Sequence, residues 1–157
     1  MIILTGAILG MASLPQFWFS GDYFIGRFDY AGYDFILKSA ESSVGIGYYA
    51  IMPFVAFAAS AAAAAASVLT FTKYEEKGAK AGVALGAAIL VSVLLYVTYP
   101  TSRMEFYNSA VGISHEFTLM DHLGGGVFLA AAAGIMVIAG SLVILMYIRA
   151  AAGKMEE

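Results

Sequence analysis

Residues 46–72 read IGYYAIMPFVAFAASAAAAAASVLTFT and contain no charged side chain. The hydrocarbon core of a bilayer is about 30 Å thick and a helix rises about 1.5 Å per residue, so roughly 20 such residues cross it. Lipid offers no hydrogen bonds to a bare backbone, so the segment must satisfy its own amides, and the alanine run favours a helix over a strand. The stretch is expected to span a membrane.

The rest of the chain agrees. Its 157 residues are 61% hydrophobic and only 12% charged, with a mean hydropathy of +0.83. A soluble domain carries roughly 25% charged residues, so a single membrane domain over 1–157 is expected. Residues 1–19 begin directly with apolar side chains and lack the basic leader of a secretory signal, which predicts a retained first span. Apolar runs at 82–99 and 123–148 complete the set. The expected fold class is an all-α membrane protein, a four-transmembrane-helix up-down bundle with a small extracytoplasmic β-hairpin cap. Its spans are 1–19, 46–72, 82–99 and 123–148. They are joined by outer segments 20–45 and 100–122 and a cytoplasmic turn 73–81, with a tail at 149–157.

Orientation follows from the basic residues. The short turn and the tail carry Lys73, Lys77, Lys80, Arg149 and Lys154, whereas the two longer segments hold Arg27, Lys38 and Arg103. Basic density marks the cytoplasmic side, which places both termini there and the two aromatic segments outside. Trp18, Tyr48, Tyr49, Tyr96 and Tyr99 fall where helices should leave the hydrocarbon, as interface anchors do.

The first outer segment alternates with a period of two. Phe24, Phe28 and Tyr30 alternate with Tyr23, Ile25, Arg27 and Asp29; after Ala31-Gly32, Tyr33, Phe35 and Leu37 alternate with Asp34, Ile36 and Lys38. That pattern predicts a hairpin turning at Ala31-Gly32 with one greasy face. A two-residue turn there would set Asp29 opposite Asp34, which favours a shifted register. Tyr23, Phe24, Phe28, Tyr30, Tyr33 and Phe35 are the candidate cap surface, either lying on the membrane or meeting a partner. The second outer segment alternates weakly over 104–107 and 113–119.

Helices in lipid associate by close backbone approach, which small residues permit. Gly6 and Gly10, Gly82 and Gly86, and Gly126, Ala130 and Gly134 recur at four-residue intervals, and residues 46–72 offer Ser60, Ser67 and the alanines between them. These stripes suit packing within the bundle, contacts between copies, or both. The run Gly124-Gly125-Gly126 reads either as a closely approached entrance for a headgroup or as room for the cap to pack on a helix end.

Catalytic signals are few. No Asp, Glu, Lys, Arg or His lies in the middle of a span, where ion and proton pathways carry them. The absence of cysteine excludes thiolate catalysis, disulfides and iron–sulfur ligation, and the scattered basic residues form no footprint for nucleic acid. His115, Glu116, Asp121 and His122 are the one cluster with metal-binding residue types. On a helix the two histidines would stand about 10 Å apart, too far for one ion.

A longer first outer segment, a shorter second one and strands outside four helices resemble the layout of the claudins and their relatives. The resemblance is architectural: Trp18 is the sole tryptophan and there is no cysteine, so that family's Trp-Gly-Leu-Trp signature and outer-loop cysteine pair are missing. Likeness of layout implies little about function.

Three functional expectations result. The first is a non-catalytic membrane subunit or scaffold that assembles with copies of itself or a larger complex, surrounded by lipid and holding no cofactor. The second is a subunit of an electron-transfer complex holding a quinone or lipid near Trp18, Tyr48, Tyr49 and Tyr99. The third is a transporter or metal-linked enzyme using His115, Glu116, Asp121 and His122.

Overall fold

The computed structural model describes residues 1–23, 26–37, 48–98, 103–108 and 113–153. In chain order these form α1 (Ile2–Ser13), β1 (Phe17–Tyr23), β2 (Gly26–Ala31), α2 (Asp34–Leu37), a 3-10 turn (Tyr48–Ile51), α3 (Met52–Leu69), α4 (Glu75–Thr98), β3 (Arg103–Asn108), β4 (Ile113–Thr118), a second 3-10 turn (Leu119–His122) and α5 (Gly125–Gly153). The chain is mostly helical. Among the described residues α3, α4 and α5 are long and apolar enough to cross a membrane.

α1 is apolar but has 12 residues, a rise of roughly 18 Å. The run expected to continue as helix to residue 19 stops at Ser13, because the ring of Pro15 blocks a further turn and the chain then enters β1. The other boundaries shift for similar local reasons. α3 is an 18-residue helix preceded by a 3-10 turn, with Pro53 in its first turn, where a missing amide costs nothing. α4 begins at Glu75, inside the expected charged turn. Glu75 and Glu76 suit a helix N-terminus, and Lys80 meets Glu76 one turn on at 2.6 Å. α5 runs on through Arg149 and the alanines after it.

The helices pack in a ring, α1 on α5, α5 on α4, α4 on α3 and α3 on α1. Glycine contacts give the directions. Along α5, Gly140 meets Ile3, Met136 and Ala133 meet Gly6, and Gly126 meets the Ser13 carbonyl, so α1 runs antiparallel to α5. Gly82 meets Ser141 and Gly86 meets Ile138 and the Gly134 carbonyl, so α4 is antiparallel to α5 as well. The interior between them is narrow because it is built from Ala7, Ala56, Ala63, Ala130 and Ala133, with Ile3, Ile89 and Val137 as its larger members.

The first hairpin differs from the one the alternation predicts. β1 pairs with β2 antiparallel, Asp29 lies opposite Ser20, and the connection falls between Tyr23 and Gly26 instead of at Ala31-Gly32. Residues 33–37 form a turn and α2, not a strand, so Asp29 and Asp34 are not cross-strand partners. Asp34 instead accepts a hydrogen bond from the Ala31 amide at 3.0 Å, a local bond that turns the chain into a short helix. The second hairpin, β3 with β4, pairs Arg103 to Asn108 against Thr118 to Ile113.

Candidate functional site

Among the described residues, aromatic side chains gather where the first hairpin sits on the bundle. β1 carries an irregularity: Phe17 pairs with Ala31 and Phe19 with Tyr30, leaving Trp18 as the extra residue. In a regular strand Trp18 and Phe19 would face opposite ways. A bulge re-aims side chains, and here both are buried, at 0% and 1% exposure. The Trp18 indole N–H donates at 2.8 Å to the Ser13 carbonyl at the end of α1, which also accepts from the Gln16 amide at 3.2 Å. The Trp18 carbonyl accepts from the Tyr96 hydroxyl at 3.1 Å and from the Gly124 amide at 2.9 Å.

Aromatic rings continue outward from this point. Tyr96 stands edge-on to Trp18 at 5.1 Å between centroids and to Phe35 at 5.9 Å, Phe35 lies 5.9 Å from Tyr30, and Tyr30 lies 6.3 Å from Phe19. Phe19 in turn meets His122 at 5.4 Å and pairs through its backbone with Leu123. The cluster thus ties β1, β2, α2, the end of α4 and the segment leading into α5 into one joint.

The glycine run serves this joint. A Cβ on Gly124 would overlap the Phe17 carbonyl, and one on Gly126 would sit 2.5 Å from Trp18 Cδ1, whereas Gly125 has nothing within 4 Å. Of the two readings of the run, close packing of the cap against the helix end is the one these contacts describe.

The expected stripe residues all lie inside the chain. Gly6, Gly10, Gly82, Gly86, Gly126, Ala130 and Gly134 are buried, and each glycine would clash with a neighbouring element if it carried a Cβ. Ser60 and Ser67 are buried as well and donate to the Ala56 and Ala64 carbonyls of their own helix at 2.7 and 2.6 Å. Ser141, which the sequence reading passed over, fills the space opposite Gly82 and donates to the Val137 carbonyl at 2.7 Å. Its signal was its position seven residues, two helical turns, beyond Gly134 on the face of the Gly126, Ala130 and Gly134 series.

Trp18 and Tyr96 were expected as headgroup anchors; both are fully enclosed by the chain. Tyr48 and Tyr49 open the 3-10 turn before α3, and Tyr99 lies outside the described residues. Of the cap residues, Tyr30 and Phe35 join the aromatic cluster and Tyr33 is exposed. Tyr23 and Phe28 sit in β1 and β2, and Phe24 lies outside the described residues.

The histidine cluster is divided. His115 and Glu116 are consecutive residues of β4, while Asp121 and His122 belong to the following 3-10 turn, so the helical spacing does not apply. Among the described residues no group of three or more His, Cys, Asp or Glu side chains could hold a metal ion. Compared with family models, with curated proteins and with solved structures, the chain matches none.

Proposed function

We propose that the chain is a non-catalytic integral membrane subunit or scaffold that presents its hairpins to a partner outside the bilayer, either further copies of itself or another membrane protein. In this reading α3, α4 and α5 cross the membrane fully and α1 makes a fourth, shorter crossing in the groove between α3 and α5. The turn at 70–74 and both termini face the cytoplasm. The observation that carries the proposal is the aromatic joint: Trp18 and Tyr96, both fully buried, bolt the first hairpin to the helix ends through two hydrogen bonds to one carbonyl. Such a joint supports a rigid platform more than a moving gate. The glycine stripes are filled within the chain, so the partner meets the cap and the outward helix faces.

The mass of the particle purified in mild detergent, with all its components, tests the assembly. A particle larger than one 16.5 kDa chain plus detergent is expected; a lone chain overturns the scaffold role. Topology is tested by single-cysteine labelling, which has no background because the chain has no cysteine. Lys77→Cys and Tyr33→Cys are expected to label from opposite sides of the membrane, and labelling from one side removes the crossing scheme.

A further inference from the structure

β1 and β2 form a sheet of their own, and among the described residues no strand pairs with the far edge of β2. A strand edge of this kind is a template for another strand. In an antiparallel ladder, alternate residues turn their backbone N–H and C=O groups to the neighbouring strand, and the residues between them turn theirs to the other edge. Tyr23 pairs with Gly26 across the connection, which makes theirs the hydrogen-bonded pair that closes a two-residue loop. Counting on from it, Gly26, Phe28 and Tyr30 bond to β1, while Arg27, Asp29 and Ala31 turn their backbone groups to the outer edge. Ala31 agrees with this phase, since its amide donates to the Asp34 carboxylate of α2.

The order of residues in β2, Gly-Arg-Phe-Asp-Tyr-Ala, is complementary in charge to itself read backwards. When two copies of β2 run antiparallel, edge to edge, with Phe28 of each at a two-fold axis, Arg27 of one copy stands opposite Asp29 of the other, and the symmetry repeats the pair. Both are outward-turned positions, so each opposed pair exchanges its two backbone hydrogen bonds. Other registers fail. A slide of one residue sets outward-turned groups against inward-turned ones. A slide of two sets Arg27 against Arg27 or Asp29 against Asp29, and like charges directly opposite each other destabilise a ladder. Within its own chain Arg27 stands opposite Asp22. A guanidinium offers several donors and a carboxylate accepts several, so contacts that Arg27 and Asp29 make inside the chain are compatible with the pairing.

We propose that the chain pairs with a second copy of itself along the outer edge of β2, joining the two hairpins into one antiparallel sheet of order β1-β2-β2-β1 with its two-fold axis at Phe28. Backbone hydrogen bonds hold the strands together, and the two Arg27–Asp29 pairs fix their register. The inference rests on the scaffold reading above and deepens it by naming the partner and the surface that meets it.

Native mass spectrometry of the full chain in mild detergent tests it, and the unaltered chain is expected to be dimeric. Asp29→Arg makes both opposed pairs basic, and Arg27→Asp makes both acidic; each variant alone is expected to dimerise at least about tenfold more weakly. Mixed together, the two variants restore opposite charges at both positions and should form mixed dimers close to the unaltered strength. A chain carrying both substitutions should pair with itself again. Recovery in the mixture shows in the same measurement that each variant still folds. Single variants as dimeric as the unaltered chain, or a loss that neither the mixture nor the double substitution recovers, would overturn this inference and leave the scaffold reading standing. A particle that holds a different protein and no second copy would do the same, whereas a lone unaltered chain would overturn both.

Discussion

The Tyr96 hydroxyl donates to the Trp18 carbonyl at 3.1 Å across 78 positions of sequence, and the two rings stand edge to face at 5.1 Å. One residue comes from the last turns of α4 and the other from a bulge in β1, so this contact sets where the cap sits on the helices. The Gly124 amide donates to the same carbonyl, which brings the start of α5 to the same point.

Tyr96→Phe keeps the ring and removes the hydroxyl. Because the Trp18 carbonyl retains the Gly124 amide, the loss is expected to be about 1 kcal/mol. Tyr96→Ala also removes the packing against Trp18 and Phe35 and is expected to cost about 3–5 kcal/mol. Thermal unfolding in mild detergent checks both; equal effects of the two substitutions would mean the ring contributes nothing.

Within the glycine run, adjacent positions should behave oppositely. Gly125→Ala meets nothing within 4 Å at the first residue of α5 and is expected to be neutral or to stabilise by about 0.4–1 kcal/mol. Gly124→Ala presses on the Phe17 backbone and Gly126→Ala on the Trp18 ring, each costing about 1–3 kcal/mol. The comparison is made by melting temperature and by tryptophan fluorescence, which reports on Trp18 alone because the chain has no other tryptophan.

Gly82 and Ser141 should be coupled. A Cβ on Gly82 would overlap Ser141 Oγ yet stand 3.2 Å from Ser141 Cβ. Gly82→Ala is therefore expected to destabilise, and Ser141→Ala in the same chain to restore much of the loss, with a coupling of about 0.5–3 kcal/mol. Strict additivity in a double-mutant cycle would place the two helices farther apart than the structure has them.

Bulk at the helix seams should loosen the bundle. Gly86→Leu drives a side chain into Ile138 and the Gly134 carbonyl, and Ala130→Leu enters a fully buried site. Both are expected to melt well below the unaltered chain and to become sensitive to protease in detergent. Leu94→Ala, on an exposed face of α4, is the control and should change little.

Composition and hydrophobic run length by themselves determined the class of this molecule: long apolar helices follow from the energy of exposing backbone amides to lipid, and 46–72, 82–99 and 123–148 announce them. Small-residue spacing was legible too, since Gly6, Gly10, Gly82, Gly86, Gly126 and Gly134 are all buried between elements. The extent of α1, the register of the first hairpin and the fate of Trp18 and Tyr96 were decided by tertiary structure. Period-two alternation over 23–37 fits more than one turn position, and what selects among them is a long-range demand: the bulge at Trp18 has to meet Ser13, Tyr96 and Gly124 at once. Contacts between residues so far apart in the chain leave no local periodicity, because each partner satisfies its own segment's pattern equally well without the other.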